Sequence, residues 1–196
     1  MNVERLSIPE VLLLTPQRFR DSRGFFSETW NAARHADAGV PGPFVQDNHA
    51  YSHGKHVVRG LHCQIGPNAQ GKLVRVVRGA IWDVAVDVRD GSPTFGQHAA
   101  AVLSAENWAQ LWVPAGVLHG YCTLTDETEV IYKVTAPYDK AAERGAIWND
   151  PDLAVPWPAP AAEAVLSDKD LALPRFRDRD VWVPRSEEHT SELQSH

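Results

Sequence analysis

Residues 80–88, AIWDVAVDV, alternate strictly: Trp82, Val84, Val86 and Val88 fall on one side, Asp83 and Asp87 on the other. A period of two is the pleat of a β-strand, so this segment is a strand with one apolar face. Arg89-Asp90-Gly91-Ser92-Pro93 then supplies turn chemistry. Comparable short runs recur at 11–14, 25–30, 45–52, 57–65, 72–77, 98–103, 110–113, 119–124 and 128–134, punctuated by 14 prolines and 13 glycines. Many short strands at close spacing predict an all-β sandwich or barrel. Helices are minor: a short one over 31–38, stopped by Gly39, and a single turn over 167–171. The Pro-rich stretch 150–184 is expected to wrap the barrel as loops.

A chain of 196 residues holds one domain with a real core, here expected over 1–184. Residues 185–196, RSEEHTSELQSH, follow VWVP, are polar apart from Leu193, and are expected to be a disordered, non-native tail. No apolar run approaches the roughly 20 residues of a membrane span. Met1 to Glu10 lacks the basic-then-apolar pattern of a secretory leader. The formal net charge of −6 argues against a nucleic-acid partner. Cys63 and Cys122 are the only cysteines and have no CxxC spacing, so a cytoplasmic setting is expected.

Four segments bring chemistry together. Arg59-Gly60-Leu61-His62 closes an apolar strand, and Gln70-Gly71-Lys72 opens the next with a cation. Pro114 to Gly120 places His119 just after a turn, and Tyr132 shares parity with Val130 and Val134. Singly, each has an ordinary reading: a structural histidine, a solvated lysine, a core tyrosine whose hydroxyl needs a partner. Arg59 and His62 are three apart, so an ideal strand would aim them at opposite faces. Gly60 between them predicts a bulge that turns both inward. Cys63 has the opposite parity from His62 and is expected on the other face.

The ordered set of motifs resembles the dTDP-4-dehydrorhamnose 3,5-epimerase family, of the cupin-type jelly roll. It runs through DSRGFFSE at 21–28, QDNH at 46–49, RGLH at 59–62, QGKLVR at 70–75, DVAVDVR at 83–89, SPTFGQ at 92–97 and LSAEN at 103–107. LWVP at 111–114, His119-Gly120, IYK at 131–133, GAIWNDP at 145–151 and LSDKD at 166–170 complete it. The resemblance implies an antiparallel jelly-roll barrel that epimerises a dTDP-linked 4-keto sugar at C3 and C5, with no metal or other cofactor. It implies a homodimer, in which the strand near 11–14 is expected to exchange with the partner sheet.

The hydrogens flanking a ketone are acidified because the anion spreads onto the ketone oxygen. Inversion therefore needs a base, an acid on the opposite face and a group that holds the enolate. The resemblance makes His62 the base, Asp170 its carboxylate partner, Lys72 the enolate stabiliser and Tyr132 the acid. Ser167-x-x-Asp170 also reads as a capping box, which competes with the partner role. His119 would bind the sugar or help at the oxyanion. Arg23 and Arg59 would fork onto the diphosphate. Phe26, Glu28, Gln46 and Asn48 would meet the thymidine, and Glu143 and Lys169 match further ligand-binding positions.

Three rivals are weighed. A metal-dependent cupin brings an HxH pair, but Gln64 stands two after His62. A non-catalytic sugar-nucleotide-binding module is disfavoured by His62, Lys72, Tyr132 and Asp170 occurring together. A single-carbon epimerase or ketoisomerase on the same fold stays open.

Overall fold

The computed structural model describes residues 1–179. The strands, in chain order, are β1 (Asn2–Arg5), β2 (Leu12–Thr15), β3 (Phe19–Asp21), β4 (Gly24–Phe26), β5 (Gln46–Ser52), β6 (Val58–Gln64) and β7 (Lys72–Arg78). They continue as β8 (Ala80–Asp87), β9 (His98–Ser104), β10 (Gln110–Val113), β11 (Val117–Thr123), β12 (Thr128–Val134) and β13 (Glu143–Gly145). Two short helices, α1 (Ala32–Asp37) and α2 (Asp168–Leu171), stand close to the expected positions. The Asn31 side chain caps α1 by accepting from Arg34 N–H, which satisfies one of the donors that a helix start leaves free.

The strands form a six-stranded sheet in the order β1-β2-β10-β7-β12-β5 and a five-stranded sheet in the order β13-β6-β11-β8-β9. All the pairings within them are antiparallel. The sheets face one another across a core that takes Val74, Val76, Leu111 and Val130 from the first and Ile81, Ala85, Leu103 and Val117 from the second. This is the expected cupin-type jelly roll. Strand β2 pairs with β1 and β10 of its own chain. Its apolar residues Leu12 and Leu14 are buried beside Trp112. The run 25–30 contributes only β4, which forms a separate two-stranded ribbon with β3. Strands β1, β3 and β13 escaped the apolar pattern; β1 and β3 are exposed along their whole length.

Strand β8 was expected to have one apolar face, but both its faces are covered, and only Ala80 and Trp82 keep partial exposure. Ile81 and Ala85 enter the inter-sheet core. Val84, Val86 and Val88 form a second core on the outside with Leu61, Cys63, Leu118, Leu153 and Phe176. The last two come from the C-terminal segment, which wraps the sheet as expected. Burial pushes the Cys63 thiol up to about 11 in that outer layer, so it stays protonated. Among the described residues no helix is long and apolar enough to cross a membrane. The tail at 185–196 lies outside the described residues.

The predicted bulge is present. His119 pairs with His62 and Tyr121 pairs with Arg59, so two steps on β11 meet three on β6. Gly60 has φ +122°, and a Cβ there would stand 2.7 Å from Gly120 Cα and 2.8 Å from His119 O. Gly60→Ala should therefore cost about 2 kcal/mol or more of stability. Urea unfolding of the variant measures this; a cost within a few tenths of a kcal/mol would mean that the two backbones can part.

Candidate active site

The bulge aims Arg59 and His62 into one cavity of about 280 Å³ between the sheets. The five-stranded sheet contributes His62 on β6 and His119 on β11, and the six-stranded sheet contributes Lys72 on β7 and Tyr132 on β12. Helix α2 closes one side with Asp170. A neighbouring lobe of about 160 Å³ shares His62, Lys72, Tyr132 and Glu143 and adds Gln46 and Asn48. Larger depressions lie elsewhere, including one of about 420 Å³ lined by Asp47, Arg75 and Lys133. The smaller cavity is the candidate because a histidine with a facing carboxylate, a phenol and a lysine without an ion-pair partner among the described residues converge there.

Two histidines of its wall, His62 and His119, each face a carboxylate. His62 Nε2 lies 2.7 Å from Asp170 Oδ1, a close ion-pair contact that is bent away from hydrogen-bond alignment. The other Asp170 oxygen accepts from Gly60 N–H at 3.4 Å. Burial pushes the Asp170 carboxyl up, but the adjoining His62 ring, Gly60 N–H and Ser167 outweigh it and hold the group below its ordinary value. The competition over the capping box is resolved. Ser167 caps α2 by accepting from Asp170 N–H at 3.2 Å, and the Asp170 carboxylate turns to His62. The second pair joins His119 Nε2 to Asp83 Oδ1 at 2.6 Å. Asp83 was not singled out from the sequence. Its signal was its place on the aspartate side of the alternating strand, which turns out to face the interior with zero exposure.

Lys72 has no ion-pair partner among the described residues, and burial pushes its pKa down. Burial pushes the Tyr132 phenol up, against the pull of the Arg59 charge, so the group is a proton donor near neutrality. Its hydroxyl has no hydrogen-bond partner among the described residues. At the rim, Lys169 Nζ donates to both oxygens of Glu143 at 2.8 and 2.7 Å, and Tyr138 donates to Glu143 at 3.1 Å. Gln46 Nε2 donates to Asn48 Oδ1 at 2.8 Å, which aligns both amides on the wall of the second lobe. The described residues hold no group of three or more His, Cys, Asp or Glu placed for a metal ion.

Three expected residues line neither lobe. Arg23 pairs with Asp21 at 2.6 Å with 87% of its side chain exposed. Phe26 on β4 is 71% exposed. Glu28 follows the ribbon and pairs with Arg34 at 3.1 Å.

Fold and site together define a jelly-roll enzyme of the acid–base class, an isomerase. A family model described as dTDP-4-dehydrorhamnose 3,5-epimerase matches residues 5–178. The dTDP-4-dehydrorhamnose 3,5-epimerase of Shigella flexneri is 48% identical over 184 residues, 93% of this chain and 100% of that protein. A Legionella pneumophila epimerase solved in complex with dTDP-4-keto-L-rhamnose superposes with TM-score 0.89 at 40% identity, covering 95% of this chain and 99% of that one. A 3'-monoepimerase of Streptomyces bikiniensis in complex with dTDP-quinovose gives TM-score 0.80 at 36% identity over 87% of this chain and 85% of that one. The chain belongs to the dTDP-4-dehydrorhamnose 3,5-epimerase family.

Because the folded pKa of Asp170 lies below its ordinary 3.8, the stability it contributes is present above that pH and is lost as pH falls through the folded value. Asp170→Asn should be less stable than the parent near neutrality, and the gap should close below pH 3.8. Urea midpoints across that range test this; a gap that persists in acid would mean that the carboxylate's charge is not what holds it.

Proposed function

We propose that the chain inverts C3 and C5 of dTDP-4-dehydro-6-deoxy-D-glucose, giving dTDP-4-dehydro-L-rhamnose for dTDP-L-rhamnose biosynthesis. One observation carries the reading: a histidine–carboxylate base and a donor phenol stand on opposing sheets of one cavity. A single group on one face can exchange a proton but cannot invert a carbon. Two groups on opposite faces can.

In this reading the ring nitrogen of His62 that Asp170 does not engage takes the proton from the carbon beside the ketone. Asp170 orients the ring and stabilises the imidazolium. Negative charge moves onto the ketone oxygen, where the unpaired Lys72 ammonium meets it in a partly dehydrated site. Tyr132 then delivers a proton to the far face. His119, held by Asp83, binds the sugar. Arg59 takes the diphosphate, and Gln46, Asn48, Glu143 and Lys169 complete the pocket. No step needs a cofactor or metal.

The same reading gives Arg23, Phe26 and Glu28 a place. They stand on or next to a ribbon that leaves Phe19, Phe25 and Phe26 exposed. In a homodimer each ribbon would enter the partner's cavity and bring its diphosphate and thymidine ligands there. The free thiols of Cys63 and Cys122 fit a cytoplasmic enzyme, with neither nucleic acid nor membrane as partner. Light scattering should give a dimer at working concentration; a monomer would remove this role for the ribbon.

The kinship to a 3'-monoepimerase supports one alternative, inversion at a single carbon. Incubation with dTDP-4-keto-6-deoxyglucose in deuterated water separates the two by counting deuterons at C3 and C5. In the same assay His62→Ala should abolish exchange and inversion together. Tyr132→Phe should still wash deuterium into the sugar while inverted product falls about 10²–10⁴-fold. An unchanged ratio of exchange to inversion in Tyr132→Phe would refute the phenol as acid.

A further inference from the structure

Tyr121 belongs to none of the roles above. Its ring lies in the inter-sheet core at 4% exposure, in the position opposite Arg59 on β6. It also forms part of the wall of the reaction cavity. Its hydroxyl is buried and has no hydrogen-bond partner among the described residues. The Ser52 hydroxyl in the same region accepts from Arg59 Nε at 3.3 Å. As a neighbouring side chain it lowers the phenol's pKa without meeting hydrogen-bond geometry with it.

A buried hydroxyl without a partner costs free energy, and phenylalanine would fill the same space without that cost. The hydroxyl therefore makes sense as a donor waiting for an acceptor that arrives with the ligand. Burial pushes its pKa up to about 12, so it arrives as a donor and not as an anion. Arg59, whose guanidinium donates to Tyr51 O at 3.0 Å, is the cation beside it and draws the anionic end of a ligand to this part of the wall.

We infer that the Tyr121 hydroxyl is a further substrate-binding group, donating a hydrogen bond to a diphosphate oxygen of the nucleotide sugar next to Arg59. The inference rests on the dTDP-sugar reading of the cavity and adds to it a specific contact.

The test compares the full-length parent and Tyr121→Phe by calorimetric titration with dTDP and with inorganic pyrophosphate, and by melting without ligand. A hydrogen bond to a charged acceptor predicts a dTDP Kd weakened on the order of tenfold or more. Pyrophosphate should weaken by a similar factor. The ligand-free melting temperature should stay the same or rise, because no internal partner is lost. An unchanged Kd for dTDP overturns the inference and leaves the dTDP-sugar reading standing. A loss for dTDP with none for pyrophosphate overturns it by moving the contact to the nucleoside. A fall in the ligand-free melting temperature overturns it by exposing an internal partner. A parent protein that does not bind dTDP removes the reading itself, and the inference with it.

Discussion

Gly60 and Gly120 lie backbone against backbone on neighbouring strands, with no room for a Cβ between them. That contact lets β6 take one residue more than β11. The extra residue turns Arg59 and His62 toward the same cavity. Without it the cation and the base would point to opposite sides of the sheet, one of them into the outer hydrophobic layer. The acid–base geometry thus depends on two residues that carry no side chain.

The polar interior this creates is held by pairing. Asp83 and Asp170 each engage a histidine. Asp87 is met by Arg89, Ser92 and Thr94. Burial would raise the Asp87 carboxyl, but those hydrogen bonds bring it down to about 2. Lys72 is different: a partly buried cation left without a counter-ion is unfavourable unless something anionic is to come. The enolate of the proposed reaction supplies that charge only when it is being formed, so the favourable interaction is concentrated at the transition state.

Much of this was legible in the chain. Alternation located β8, turn residues separated the strands, and the spacing of three between Arg59 and His62 with a glycine between them foretold the bulge. Other features were not legible, for physical reasons. Alternation cannot say which side of a strand faces water when both sides are covered, so Asp83 read as the polar side and not as the holder of His119. Exposed strands such as β1 and β3 bury no face and so leave no apolar period. The pattern Ser167-x-x-Asp170 serves a helix cap and a histidine equally well until the side chain's direction is known. Arg23, Phe26 and Glu28 come from the family motif, but a motif does not say where in the fold a residue stands, and here all three lie away from the cavity.

The base and its carboxylate are brought together across most of the chain: Gly60 N–H and the Asp170 carboxylate are 110 residues apart in sequence. A ribosome delivers the chain from its N-terminus, and both sheets can pair before α2 emerges. In the proposed reaction α2 thus does what no strand of the barrel does: it supplies the carboxylate that faces His62.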